Sequence, residues 1–151
     1  MLRLAWLPLL ALIFSKCAIA QTSEDMVAVA RDIHDRVITI DTHVDIPPNF
    51  ATSAYDLMKP GPRGQQVHIP TMIEGGLDVT FIIVFVSQGP RTQAGYAKAL
   101  SDAFLKFSAI HKVTKDIYPD KIQLALSAND VRRVSTSGKK VALIGIENGY
   151  P

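Results

Sequence analysis

Four runs of β-branched and large apolar residues, spaced by helix-like segments, constrain this 151-residue chain more than any other feature. They are Val37–Ile40 (VITI), Val79–Val86 (VTFIIVFV), Ile122–Leu126 (IQLAL) and Val141–Ile146 (VALIGI). The longer runs have almost no polar alternation, which suits strands covered on both faces in a parallel sheet. Between them the 3.6-residue period predicts helices over about 24–36, with Ser23 as cap, and over about 92–117. The second of these carries Tyr96, Leu100, Phe104, Phe107, Ile110 and Ile117 along one side. Pro70 opens a short helix, Thr71 to Glu74, which Gly75 and Gly76 stop, and Ser127 and Asn129 are caps for a small helix that Gly138 ends. The alternation predicts an α/β fold with parallel strands. Pro47 to Gly64, with four prolines and two glycines, reads as a long surface loop.

Residues 1–20 read as a secretory signal peptide. Arg3 precedes an apolar stretch from Leu4 to Phe14, and Ala18, Ile19 and Ala20 form an A-x-A cleavage site before Gln21. The stretch is shorter than the ~20 residues a membrane span needs. Lys16 stands where lipid attachment to Cys17 calls for a small residue, which disfavours a lipoprotein anchor. The expected location is periplasmic or extracellular, with no stable membrane insertion after cleavage. Of 16 basic and 14 acidic residues, Arg3 and Lys16 leave with the signal, so 14 of each remain. A neutral chain gives no support to nucleic-acid or anionic-membrane binding. Cys17 is the one cysteine, so stability is expected from a packed core over residues 21–151 or from a bound metal.

The polar residues that end the strands raise the question of function. In VITIDTHVDIPPNF the first run closes on Asp41, His43 and Asp45. His43 and Asp45 are two apart, so in extended backbone they share a side, and imidazole and carboxylate both ligate zinc. The same pair also suits a hydrogen-bonded loop. Glu147 directly follows VALIGI, so a second acid stands at a strand's C-terminal end, the edge where parallel α/β folds build their sites. A cap or an ion pair is the alternative for Glu147. Asp41 reads as orienting the loop or a ligand. His34, His68 and His111 read as surface or packing residues, and Asp78 as part of the turn before its strand. GQQVHIP lacks phosphate-loop or dinucleotide spacing.

IDTHVDIP, IPTMIEGGLDVTFIIVFV and ALIGIENGYP together resemble the renal, or membrane, dipeptidase family of zinc peptidases, M19, in order and spacing from about residue 30 to 151. The resemblance implies the N-terminal half of a (β/α)8 TIM-like barrel. It also implies two zinc ions and hydrolysis of dipeptides, some with a D-residue at the C-terminal position. Carried onto this sequence, His43 and Asp45 match ligands of one zinc, and Glu147 matches the catalytic glutamate bridging both. The mechanism so implied is attack by a metal-bridging hydroxide. A homodimer is compatible with the full-length form.

The chain departs from the family pattern at four positions. Asn148 and Tyr150 stand where the family usually has glycine and histidine, and Thr42 and Val44 where it has glycine and asparagine. The family takes two further zinc-binding histidines, a substrate-binding arginine and a catalytic carboxylate from later strands. The chain is therefore expected to be the N-terminal part of a longer enzyme, with little or no activity alone. Two other readings remain open here: a noncatalytic barrel that binds a small ligand, and another amidohydrolase-type metal hydrolase, against which Asp45 argues because those barrels usually open with H-x-H.

Overall fold

Each helix begins where a side chain replaces a missing backbone partner. Thr22 and Asp25 satisfy each other's backbone N–H groups in a capping box. Thr92 accepts from the Gly95 N–H at 3.1 Å and Ser127 from the Asp130 N–H at 3.1 Å. His68, buried, caps with its ring, Nδ1 accepting from the Thr71 N–H at 3.4 Å. Gly76 closes the same short helix in the left-handed region, at φ 70°. The structure, a computed structural model, describes residues 22–60 and 67–151. The signal segment, Cys17 and part of the long loop lie outside these residues.

The elements are α1 (Ser23–Arg36), β1 (Ile40–Asp45), α2 (Ile69–Gly75), β2 (Val79–Phe85), α3 (Gln93–Lys112), a π-helical turn (Val113–Ile117), β3 (Ile122–Leu124), α4 (Ala128–Thr136) and β4 (Lys140–Glu147). This is the order the sequence predicts. All strand pairs are parallel and the sheet order is β1-β2-β4-β3. β4 lies against β2, and the three-residue β3 flanks β4 at Lys140 to Ala142. β1, β2 and β4 therefore stand side by side with their C-terminal ends together. Among the described residues no helix is long and apolar enough to cross a membrane.

Residues alternate between the two faces of the sheet. Ile82, Val84 and Val86 turn to one face, where α3 supplies Ala99, Ala103 and Ile110 to the main core. Val79 and Val141 turn to the other, under Val134 of α4. The rest of that second face is open, an apolar hollow of about 630 Å³ bordered by Ile40, Phe81, Leu126 and Leu143.

Expectations for three elements, β1, α1 and α3, need correction. β1 begins three residues later than Val37 and runs through Asp45, because it can pair only where β2 exists: Ile40 meets Val79, the first residue of β2. It is also an exposed edge strand rather than one covered on both faces. In α1 no residue is buried, and Met26 is 53% exposed. That helix meets the remainder through Arg31, which donates to the Glu74 carbonyl at 3.2 Å. In α3 the buried stripe is Ala99, Ala103 and Ile110, whereas Tyr96, Leu100 and Phe104 face outward. Alanine lets the helix backbone come close to the sheet, which a row of large side chains would hold off. Finally, the α-helix stops at Lys112. Buried Thr114 donates to the carbonyls of Ile110 and His111, and the turn widens to π geometry there.

The loop after β1 is fastened by one carboxylate. Asp56 accepts from the Met58 N–H at 2.9 Å and from the Tyr118 hydroxyl at 2.8 Å, with Lys59 Nζ at 3.1 Å. These partners, led by the Met58 N–H, hold its carboxyl below the usual carboxylate range. A depressed folded-state value means the anchorage is complete above the ordinary carboxylate pKa and is lost as pH falls through the lower one. The expected result is that Met58 amide-exchange protection persists through mild acid and drops only below the ordinary range. In Tyr118→Phe that drop moves to higher pH.

Candidate metal centre

A β-bulge shapes the first half of the site. Asp41 pairs with Thr80 and Val44 with Ile82, so β1 spends one residue more than β2 over this interval. The Asp41 carboxylate accepts the His43 backbone N–H at 2.9 Å. Asp41 thus turns inward on its own strand. Beyond the bulge Asp45 pairs with Ile83, which pairs with Gly145, and Phe85 pairs with Glu147. Asp45, Ile83, Gly145, Phe85 and Glu147 therefore share the open face. A Cβ on Gly145 would lie 2.6 Å from Ile83 Cδ1. The glycine lets Ile83 lean across the sheet beneath the polar groups.

The three residues singled out from sequence converge over this floor. His43 Nε2 lies 3.2 Å from Glu147 Oε2 and 3.7 Å from Asp45 Oδ1. Each residue offers one ligand-type atom, and these lie within 4.8 Å of one another. Their side chains are 50%, 69% and 46% exposed for His43, Asp45 and Glu147. Water therefore reaches all three, and two acidic side chains stand beside one imidazole. The Nε2 lone pair and the carboxylate oxygens are all metal-ligand atoms. Bonds of about 2.0–2.2 Å to a tetrahedral ion place ligand atoms roughly 3.3 Å apart. The imidazole-to-carboxylate spacings bracket that value, so the donor set fits a cation such as zinc.

The structure places the remaining candidates elsewhere. His68 caps α2, and His34 lies beside Gly76, whose added Cβ would be 3.5 Å from its Nδ1. His111 is partly buried in α3, its Nδ1 without a partner among the described residues. Asp78 accepts from the Thr39 N–H at 3.1 Å and meets Lys140 Nζ at 3.4 Å, tying the start of β2 to β1 and β4. Asn148 and Tyr150, read from sequence only as departures, prove to be tethered into the fold beside Glu147. The Asn-Gly dipeptide after a strand was a turn signal that could have marked them.

Comparison with known proteins points the same way. The family model described as membrane dipeptidase (peptidase family M19) matches residues 27–151. The fold is shared with the crystal structure of the probable dipeptidase PvdM from Pseudomonas aeruginosa, with a TM-score of 0.75 and 21% sequence identity. That likeness covers 86% of this chain and 33% of the PvdM chain, so the chain spans about a third of that structure's length. No curated protein sequence matches significantly.

Proposed function

Because the chain belongs to the membrane dipeptidase family, peptidase family M19, we propose that it forms one wall of a zinc-dependent dipeptidase barrel and holds metal through His43, Asp45 and Glu147. The observation that carries the reading is the convergence of an imidazole and two carboxylates from two strands, with β2 between them. The open apolar face supports the barrel, since it is what the inside of a barrel wall would present to further strands. Export fits the signal-like first 20 residues, and dipeptides fit the family.

In this reading each side chain has a task set by its place. His43 gives Nε2 as a neutral nitrogen donor, and the bulge held by Asp41 fixes its backbone. Asp45 gives a carboxylate from the same strand. Glu147 would give a second from β4, the strand on the other side of β2. Zinc, when bound, supplies Lewis acidity, lowering the pKa of water from ~15.7 to about 7 and drawing charge from a peptide carbonyl. The two carboxylates balance that positive charge.

The test is calorimetric titration of the chain with Zn²⁺, alongside amino-acid release from a panel of dipeptides. The expected result is saturable uptake of one ion, reversed by a chelator, with hydrolysis at or near background for these four strands alone. Absence of uptake would overturn the metal reading. Brisk zinc-dependent hydrolysis would overturn the view that further strands complete the site.

A further inference from the structure

Glu147 is the last residue of β4, and its rung with Phe85 is the last of the β2–β4 ladder. A strand end is where pairing frays, yet the proposed metal site needs this carboxylate held within reach of His43. The next three residues are tethered at three points. Asn148 stands at φ 73°, the one non-glycine residue with positive φ among the described residues. Its Nδ2 donates to the Val86 carbonyl at 2.9 Å, and its Oδ1 accepts the Tyr150 N–H at 3.2 Å. Val86 directly follows Phe85, so the side-chain amide continues the ladder one step past its end. Tyr150 is buried, and its hydroxyl donates to the Pro90 carbonyl at 2.7 Å. Its ring lies 5.2 Å from that of Tyr96, tilted by 45°.

The surroundings of the phenol are cut to admit it. A Cβ on Gly89 would lie 3.0 Å from the Tyr150 hydroxyl oxygen, and one on Gly95 would lie 2.8 Å from it. Two glycines, Pro90 and Tyr96 thus form a socket in the β2–α3 connection and the first turn of α3. The socket belongs to the β2–α3 unit, whereas the residue it receives lies beyond the end of β4.

We infer that Asn148 and Tyr150 form a latch that locks the end of β4 onto β2, and that they are positioning residues for Glu147. The inference rests on the proposed metal role of Glu147, although the latch itself is measurable without metal. Neither residue points a ligand at the site. Their effect passes through the backbone, by fixing where the glutamate leaves the strand.

The experiment compares the chain with Tyr150→Phe, which removes the bond to Pro90 and keeps the ring, and with Asn148→Gly, which keeps the positive φ and removes the amide. Amide exchange at Gly145 and Glu147, which face β2 as Val141 does, is expected to quicken about ten-fold in each variant, as loss of one hydrogen bond would cause, with Val141 unchanged. Co²⁺ affinity is expected to weaken about ten-fold, with a changed visible spectrum, while far-UV circular dichroism stays the same. Unchanged exchange and affinity in both variants would overturn the latch. Collapse of the dichroism in both would also overturn it, since the pair would then be supports of the whole fold. Faster exchange in the variants of a chain that takes up no Co²⁺ would keep the latch and remove the metal reading instead.

Discussion

Gly95→Ala is expected to destabilise the chain by about 3 kcal/mol, the upper end of what overpacking costs, and to lower the melting temperature by roughly 10 °C. A Cβ there would lie 2.0 Å from the Pro90 carbonyl oxygen. That atom belongs to the backbone, so relief requires the chain to move rather than a side chain to rotate. The same carbonyl accepts from the Tyr150 hydroxyl and from the Thr92 N–H at 2.8 Å. One methyl group therefore strains the socket and the start of α3 together. Gly75→Ala is the control, because a Cβ there meets nothing within 4 Å, and its change is expected to stay within about 0.5 kcal/mol. Thermal denaturation followed by circular dichroism reads both. Equal melting temperatures for the two variants would contradict the close packing around Gly95.

His43→Ala is expected to weaken divalent-metal uptake by more than about 100-fold, beyond what loss of an orienting partner costs. The imidazole is the one nitrogen donor among the three converging groups, and it stands nearest to both carboxylates. Without it Asp45 and Glu147 are two exposed acids on strands separated by β2, with no third ligand to draw them to one ion. Fold stability should change little, since the ring is half-exposed. Titration calorimetry together with thermal denaturation separates the two effects. Undiminished uptake at unchanged stability would place the ion elsewhere.

The order of elements was legible because β-branched runs and helical spacing are local signals, each sufficient within ten or so residues. The edges of β1 were not, because its start is fixed by where β2 begins, and that partner lies 39 residues away at Val79. The apolar run of β1 also carried no record of whether a neighbour covers it. In α3 two stripes compete, one large and one small, and the sheet selects the alanines through closeness of approach, which counting hydrophobic side chains does not detect.

The site was more legible than the packing around it. Polar residues at the C-terminal ends of parallel strands are read from position alone, and His43, Asp45 and Glu147 do come together. Their meeting depends on β1 and β4 lying on either side of β2, which is set by sheet order and has no local signature. The bulge that sets His43 was hidden for the same reason, since an extra residue exists only relative to a partner strand. The contribution of Asn148 and Tyr150 was hidden too, because their acceptors, Val86 and Pro90, are 62 and 60 residues away.

In the proposed site one cation joins the ends of β1 and β4. Zinc-edge X-ray absorption on the chain loaded with one equivalent of Zn²⁺ tests it most directly, with His43→Ala measured in parallel to exclude the other histidines. The expected spectrum shows a single imidazole with carboxylate oxygens at about 2.0–2.2 Å, the imidazole signal vanishing in the variant. An all-oxygen shell, or an imidazole signal that survives loss of His43, would contradict it.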